Sequence, residues 1–500
     1  MSDAPLAHTR DGQICGVHRD GVDVYRGIPY ASAERFAAPL PAAPWEGVLD
    51  AGAFGPIAPQ VSGAQFQSAD LVQDEQCHSA NVWTTGSAGA RPVMVWIHGG
   101  AFRTGSGASP LYDGSTLATR GDVVVITLNY RLGALGFLAH PSLATGDALV
   151  GNWGMLDLVE ALRWVQANAS AFGGDPDDVT IFGESAGGTA VALLCSMPSA
   201  AALFHKAAVQ SGATLTSELS VAVALADRMV ELTGVSDARA LRDLPVERIL
   251  AAQQEIEGEG RERMFVPAVD GTVVPSFPGP ALAGGSSAGI PMLIGSNVDE
   301  WKLWAAADPH SRDLDDDRLR DRLEHTFPAD EVAGLIDVVR SARSSRGELS
   351  TSADVFYAIE SERAFRVPGL RLADAQSEHA PTFVYLFGWG SPAMGGWLGA
   401  CHGLEIAFVF GNQGRGEIAA FTGAGAAADG LAEQMMDAWL AFVHTANPST
   451  AALSWPLHDS GTRPTMVFDA STRVELDPRD AERAAVEALV PRPREAAVQR

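Results

Sequence analysis

The chain has 500 residues, of which 46% are hydrophobic and 19% are charged. This composition is typical of a globular protein with a large apolar core, and it excludes a disordered chain, a collagen and a small disulfide-stabilised scaffold. The formal net charge of −26 repels nucleic acids and anionic membrane surfaces, so we expect neither as a partner.

The cysteines and the first residues indicate the cellular location of the protein. The four cysteines show neither a CxxC pattern nor a regular spacing, which predicts reduced thiols and a cytoplasmic location. The first ten residues contain neither a basic nor an apolar segment of the kind that directs secretion, and no apolar run reaches the roughly 20 residues that a membrane-spanning helix requires. The sequence has no HExxH motif and no Cys/His cluster, so we expect no metal and no organic cofactor.

Short apolar runs alternate with helical patterns along the chain. The runs that predict buried strands are 93–97, 123–128, 179–182, 291–294 and 382–386. Between the second and third runs, residues 156–168 carry apolar side chains at helical spacing. Because continuous apolarity indicates burial on both faces of a sheet, this alternation predicts an α/β fold with a large, mostly parallel central sheet flanked by helices. No linker separates independent halves, so residues 1–500 are predicted to form one domain.

Two stretches interrupt the alternation. Residues 215–260 and 305–380 are rich in helix formers and charge. We expect them to be helical cap insertions over a site, with plain surface helices as the alternative. Within the second stretch, residues 313–324 predict a solvated amphipathic helix. Residues 279–290, which are rich in glycine, alanine and serine, are expected to form a flexible surface connection.

The segment VTIFGESAGG, residues 179–188, contains the pattern G-x-S-x-G between a predicted strand and a helical pattern. In a nucleophile elbow of this kind, the serine occupies a strained turn before a helix, and only glycine fits two residues away on either side. Ser185 is therefore the candidate nucleophile, and Gly183 and Gly187 are the residues that the turn requires. A glycine-rich loop without catalytic function is the structural alternative.

A second glycine-rich segment, HGGAF at residues 98–102, follows the predicted strand at 93–97. Loops of the HGG type supply backbone amides that bind a developing oxyanion in esterases and lipases. We expect the amides of Gly100, Ala101 and Ala186 to form such an oxyanion hole. Alone the tripeptide is a weak signal, but it gains weight from the elbow that follows it.

Together with further ordered segments, these motifs resemble the type-B carboxylesterase family of α/β-hydrolases, which includes bacterial para-nitrobenzyl esterases, animal carboxylesterases and cholinesterases. The resemblance extends over nearly the whole chain, and the matching segments outside the two motifs include residues 25–31, 128–133, 151–154, 265–271, 403–411 and 439–442. It implies an α/β-hydrolase fold. It also implies a catalytic triad in the chain order Ser, Glu or Asp, His.

The resemblance assigns the acid and the base. It places the acid at Glu300, in the segment GSNVDE just after the strand at 291–294, with the adjacent Asp299 as the alternative. Periodicity cannot choose between these two neighbours, since either could project from a loop at a strand end. The base is His402, which precedes an apolar, strand-like run. An imidazole has the right ordinary pKa, near 6.5, to take and return a proton at neutral pH.

Other residues match family positions that surround the triad. Glu184, Ser211 and Glu405 are expected to support it, and simple packing is the alternative. Phe102, Leu303 and Trp304 are candidates for the substrate pocket, although most aromatic side chains belong to the core. The family's N-terminal disulfide cannot form, because Ala58 stands where one of its cysteines usually lies.

The sequence therefore predicts a serine hydrolase that cleaves small to medium alkyl or aryl carboxylic esters through an acyl-enzyme. Hydrolysis of carbamates or of bulky xenobiotic or natural-product esters by the same triad is the alternative within enzymes. A non-catalytic adhesion member of the superfamily is the alternative from another class, but such members lose a triad residue, and all three are present here. The oligomeric state, monomer or homodimer, stays open.

Overall fold

The computed structural model of the chain describes residues 4–61, 70–144, 149–212, 215–260, 263–308 and 310–491. These residues group into two units. The first unit comprises the described residues of Met1–Ala208 and Leu215–Ile290, and the second comprises those of Val209–Thr214 and Pro291–Arg494. The expectation of a single domain with two caps stays a prediction.

The first unit contains the strands that precede Ser185 and three strands that follow it. Its strands are β1 (Leu6–His8), β2 (Gln13–Cys15), β3 (Val17–Arg19), β4 (Val22–Pro29), β5 (Ala31–Ser32), β6 (Leu40–Pro41), β7 (Val48–Asp50), β8 (Ser79–Thr84), β9 (Arg91–Ile97), β10 (Val124–Leu128), β11 (Gly174–Glu184), β12 (Lys206–Gln210), whose last two residues belong to the second unit, β13 (Ser217–Glu218) and β14 (Ala268–Val269). Its helices are α1 (Ser115–Gly121), α2 (Gly133–Phe137), α3 (Trp153–Asn168), α4 (Ala186–Leu194), α5 (Leu219–Thr233), α6 (Val246–Gly258) and α7 (Pro278–Ala283).

The main sheet of the first unit runs in the order β3, β4, β8, β10, β9, β11, β12. Strands β9, β10 and β11 are parallel, and Val95 pairs with Ile126 on one side and Ile181 on the other. These residues are fully buried, as expected for parallel strands covered on both faces. Strand β8 pairs antiparallel with β10 and β4, so the sheet is mixed. The carboxyl ends of β9 and β11 carry the two glycine-rich motifs.

The second unit contains the candidate acid and base. Its strands are β15 (Met292–Asn297), β16 (Thr382–Phe387), β17 (Pro464–Phe468) and β18 (Arg473–Leu476). Its helices are α8 (Lys302–Ala305), α9 (Asp316–Glu324), α10 (Ala329–Ser345), α11 (Ser352–Ser361), a π-helical turn (Glu362–Arg366), α12 (Val367–Ser377), α13 (Ile406–Phe410), α14 (Gly416–Thr422), α15 (Ala426–Thr445) and α16 (Asp480–Leu489). Strands β15, β16 and β17 are parallel, and β18 is antiparallel at the edge.

All five predicted strands and the predicted helix at 156–168 are present, with bounds that differ by a few residues. The predicted cap stretches contain helices α5 and α6 and helices α9 to α12. The amphipathic helix expected at 313–324 is α9, which buries Leu319 and Leu323 in an apolar cluster with residues of α10 and α11. Among the described residues, no helix has the length and apolarity needed to cross a membrane.

Two local expectations were wrong. Residues 279–290 do not form a mere surface connection, because α7 occupies 278–283 and buries Leu282. Pro278 in the first helical turn suits this helix, since a missing N–H costs nothing there. The strand-like run after His402 is helix α13, which ends at Gly411 in the left-handed conformation. A short, uniformly apolar run carries no periodicity that could distinguish a buried helix from a strand.

Candidate active site

Ser185 lies between the end of β11 and the start of α4. Its φ of 58° and ψ of −122° are rare for any residue with a side chain, and such strain persists only where the surroundings impose it. Its carbonyl accepts the first hydrogen bond of α4, from the Thr189 N–H at 2.9 Å. The serine therefore precedes a helix N-terminus, where the partial positive charge favours a developing anion.

The glycines of the elbow are required by close backbone packing. A Cβ built on Gly183 would lie 2.6 Å from the carbonyl of Gly187, and one built on Gly187 would collide with the carbonyl of Ile97 at the end of β9. Neither obstacle is a movable side chain. The G-x-S-x-G pattern is thus explained by sterics within the first unit.

The His-Gly-Gly loop packs directly against the elbow. A Cβ on Gly99 would meet the Glu184 carboxylate at 2.9 Å and the Cβ of Ser185 at 3.1 Å. Gly100, Ala101 and Phe102 follow with φ of 106°, 57° and 58°, a run of left-handed residues that turns the chain sharply. The loop thus places the amides proposed for the oxyanion hole on a backbone that contacts the nucleophile's turn. Buried Glu184 lies along this contact.

His98 supports the loop rather than competing for the role of base. Its Nδ1 lies 2.8 Å from the Gly99 carbonyl, which only accepts, so Nδ1 carries the proton. Its ring stacks on Tyr130 at 4.6 Å, and the Tyr130 hydroxyl donates to the His98 carbonyl. Burial lowers the pKa of His98 to about 4, against a smaller opposing effect of the Gly99 hydrogen bond. The imidazole is therefore neutral at neutral pH.

In the second unit the structure brings Glu300 and His402 together. Glu300 is fully buried, and its Oε2 lies 2.6 Å from His402 Nδ1. The other carboxylate oxygen, Oε1, accepts hydrogen bonds from the Ser211 hydroxyl at 2.6 Å and from the Asn297 N–H at 2.7 Å. A carboxylate only accepts, so His402 holds its proton on Nδ1 and Nε2 is its basic nitrogen.

Asp299 points to different partners. Its Oδ1 pairs with the Lys302 ammonium at 2.9 Å, and its Oδ2 accepts the Ala400 N–H at 3.0 Å. Two neighbouring carboxylates thus have separate structural surroundings, and only Glu300 contacts the imidazole of His402.

A buried amide network connects the strand end to the histidine loop. The Asn297 side chain donates to Glu405 Oε2 at 2.6 Å and to the Cys401 carbonyl at 2.8 Å. Glu405 Oε1 accepts from Gln210 at 3.4 Å. Ser211 and Glu405, both predicted from the resemblance, therefore lie in the hydrogen-bond network of the Glu300–His402 pair.

The predicted pocket residues have different surroundings. Phe102 is fully buried and packs edge-on against Phe137, with ring centroids 4.9 Å apart. Trp304 is half-buried and lies 4.7 Å from the His402 ring, and Leu303 beside it is also half-buried. Their role in a substrate pocket stays a prediction, and the core position of Phe102 is the packing alternative.

Sequence reasoning missed two residues at this site. Asn297 had a signal, since it is a polar residue at the end of an apolar strand and three positions before Glu300. Phe365, whose ring lies 4.8 Å from that of His402, had none. It belongs to a stretch that the sequence marks only as helical.

Comparison with known proteins gives one family over nearly the whole chain. The sequence profile of the Carboxylesterase family matches residues 3–485. The chain is 39% identical to para-nitrobenzyl esterase of Bacillus subtilis over 493 residues, covering 96% of this chain and 97% of that protein. It is 35% identical to phenmedipham hydrolase of Pseudarthrobacter oxydans, covering 91% of this chain and 93% of that protein.

The fold matches solved structures equally well. The crystal structure of a carboxylesterase of Geobacillus stearothermophilus has a TM-score of 0.85 at 38% identity, and the match covers 96% of this chain and 99% of that one. The chain has the α/β-hydrolase fold that its sequence resemblance implied. The family acts on small-molecule esters. The chain therefore belongs to the carboxylesterase family and is a carboxylic ester hydrolase.

Proposed function

We propose that the protein hydrolyses small to medium alkyl and aryl carboxylic esters through an acyl-enzyme on Ser185, with His402 as the base and Glu300 as the acid of the triad. The observation that carries this proposal is the 2.6 Å hydrogen bond between His402 Nδ1 and Glu300 Oε2, together with the strained turn at Ser185. An oriented imidazole and an elbow serine are the two parts that acyl transfer by a serine requires.

The chemistry runs in two halves. His402 Nε2 takes the proton of the Ser185 hydroxyl while Oγ attacks the ester carbonyl. The resulting imidazolium is stabilised by Glu300, which also holds the ring in one tautomer. The imidazolium then protonates the leaving alcohol. Water, activated by the same nitrogen, attacks the acyl-enzyme and releases the acid.

The tetrahedral oxyanion is bound by the amides of Gly100, Ala101 and Ala186 in this proposal. The support is local: Ala186 is the first residue of α4, whose N–H belongs to the donors left unsatisfied at a helix start, and Gly100 and Ala101 lie in the left-handed turn against the elbow. Loss of one such donor costs about 2.7–4 kcal/mol of transition-state stabilisation.

A carbamate is the second candidate substrate. It rests on the relative named phenmedipham hydrolase, at 35% identity. The same triad would carbamoylate Ser185 and release an alcohol or phenol. Carbamoyl-enzymes hydrolyse more slowly than acyl-enzymes, because nitrogen donation makes the carbonyl less electrophilic, so the ester remains the favoured substrate.

We also propose a cytoplasmic protein whose macromolecular partners include neither nucleic acid nor a membrane. All four cysteines are free thiols and three are buried, which suits a reducing compartment. The net charge of −26 opposes binding to polyanions. Monomer and homodimer remain the two candidate assemblies.

The test of the triad is covalent labelling combined with substitution of the serine. We expect an organophosphate to label the protein once, at Ser185, and Ser185→Ala to lower kcat/KM for para-nitrophenyl butyrate by at least about 10³-fold, since the remaining site can only bind and polarise the ester. Activity retained in Ser185→Ala, or a label on another residue, would reject the mechanism. A series from acetate to palmitate, with a matched aryl carbamate, measures the preferred acyl size and the ester preference.

A further inference from the structure

The π-helical turn Glu362–Arg366 lies between helices α11 and α12. Pro368 follows it in the first turn of α12. A proline cannot donate to the residue four positions earlier and its ring clashes with that carbonyl, so the helix must widen or bend before it. Such wide turns are uncommon in helices and occur frequently at functional sites.

This turn places one aromatic ring against His402. The Phe365 ring centroid lies 4.8 Å from that of His402 at an interplanar angle of 45°, and the Trp304 centroid lies 4.7 Å away at 44°. Phe365 and Trp304 stack on each other at 5.3 Å. Glu300 fixes where the Nδ1 of the imidazole points, but one hydrogen bond leaves the ring free to tilt about that bond. The two aromatic rings restrict this tilt.

The turn is itself anchored by a buried ion pair. Arg366 Nη1 donates to Glu362 Oε1 at 2.8 Å, and both side chains are less than a tenth exposed. The other end of the guanidinium, Nη2, donates to the Pro478 carbonyl, two residues before α16. Charge-assisted bonds at buried sites hold geometry strongly, because neither partner can exchange to water.

The same segment contacts the acid side of the pair. The Ser361 hydroxyl, one residue before the turn, accepts the N–H of Trp301 at 3.0 Å. Trp301 follows Glu300 directly. Phe365 of the turn therefore contacts the histidine, and the residue just before the turn, Ser361, holds the backbone N–H of the residue that follows the acid.

We propose that Phe365 is a positioning residue for His402, and that Arg366 sets its position by tying the π-helical turn to Glu362 and to the chain before α16. This inference rests on the proposed function, in which His402 is the base. It predicts that changes at Phe365 and Arg366 slow the chemical step without weakening substrate binding, because the imidazole is displaced relative to the reacting proton.

The chain offers matched controls. Arg371 of α12 also holds the C-terminal helix, through the carbonyls of Glu487 at 3.0 Å and Val490 at 2.8 Å, but it is not part of the turn. Arg371→Lys therefore weakens a comparable anchor to the C-terminal helix and leaves the Arg366–Glu362 pair in place. Phe365→Tyr keeps an aromatic ring, whereas Phe365→Leu removes it at nearly equal volume.

The experiment measures kcat and KM for para-nitrophenyl butyrate, and the rate of organophosphate labelling at Ser185, in all four variants. We expect Phe365→Leu and Arg366→Lys to lower kcat and the labelling rate about tenfold, a partial loss of well-oriented general-base catalysis, with KM changed less than about twofold. Phe365→Tyr and Arg371→Lys should stay within about threefold of the parent protein. The Phe365 variants test the role of the aromatic ring separately from that of Arg366, since they leave the ion pair intact.

The inference is overturned if Phe365→Leu keeps its kcat and labelling rate, if Phe365→Tyr loses as much as Phe365→Leu, or if Arg371→Lys falls as far as Arg366→Lys. These results differ from a failure of the proposed function. In that case the parent protein itself would not be labelled at Ser185, whatever the variants do.

Discussion

At the scale of single residues, the neighbouring carboxylates of Glu300 and Asp299 have different surroundings. Glu300 is fully buried and accepts hydrogen bonds from His402, Ser211 and a backbone N–H. Asp299 neutralises Lys302 and caps the backbone at Ala400. A carboxylate works in a triad by holding one imidazole tautomer and stabilising its cation, and contact with the ring is required for both.

We therefore expect Glu300→Gln to lower kcat/KM by about 10³–10⁴-fold, because an amide can present an N–H to Nδ1 and so favour the wrong tautomer. Asp299→Asn is the matched control and should cost less than about tenfold. Steady-state kinetics with para-nitrophenyl acetate measure both. Equal losses in the two variants would contradict the assignment of Glu300.

At the scale of elements, two glycines that both have room for a side chain differ in backbone conformation. Gly334, in the middle of α10, and Gly234, just after α5, are both exposed, and a Cβ at either would meet nothing within 4 Å. Gly334 has helical dihedrals, whereas Gly234 has a φ of 71° and ends its helix in the left-handed region. An alanine is favourable in the first conformation and strained in the second.

Gly334→Ala should raise the free energy of unfolding by about 0.5–1 kcal/mol, and Gly234→Ala should lower it by about 1 kcal/mol. Urea denaturation followed by circular dichroism measures both changes. A stabilising Gly234→Ala would show that the helix end can adopt another conformation.

At the scale of the whole molecule, each unit contains a half-buried or buried carboxylate whose pKa is lowered by neighbouring basic side chains. In the first unit, burial alone would raise the pKa of Asp157, but the contacts with Arg131 and His78 outweigh burial and hold this pKa well below the usual range. In the second unit, burial again favours a higher pKa for Glu348. The contacts with Arg346 and Arg479 outweigh burial and lower this pKa to about 2. Such groups stabilise the folded state only while they are ionised.

Because the folded-state pKa of Glu348 is below its ordinary value of about 4.3, its contribution is complete above that pH and disappears as the pH falls toward 2. We expect the urea midpoint of the parent protein to fall over this window, and the decline to be shallower in Glu348→Gln. The quantity to measure is the difference in urea midpoint between the two proteins at each pH. Protonation of the chain's many other carboxylates also changes the midpoint, but it does so in both proteins. Parallel curves would contradict the prediction.

The sequence determined the features that depend on neighbours along the chain. Apolar runs marked the buried strands, and the G-x-S-x-G pattern between a strand and a helix marked the elbow, because such a turn requires its glycines at fixed positions on either side of the serine. The resemblance to a family could also be recognised in the sequence, since it consists of short matching segments in a fixed order.

Only the tertiary structure decided which groups meet across long separations. It placed Glu300 rather than Asp299 against His402, tied Asn297 to Glu405, brought Phe365 from a helical stretch to the imidazole, and made the run after His402 a helix. Each of these outcomes depends on partners about 40 to 110 residues away, or on packing that a short apolar run does not encode. Strand register and helix docking set such contacts, and local periodicity carries no information about them.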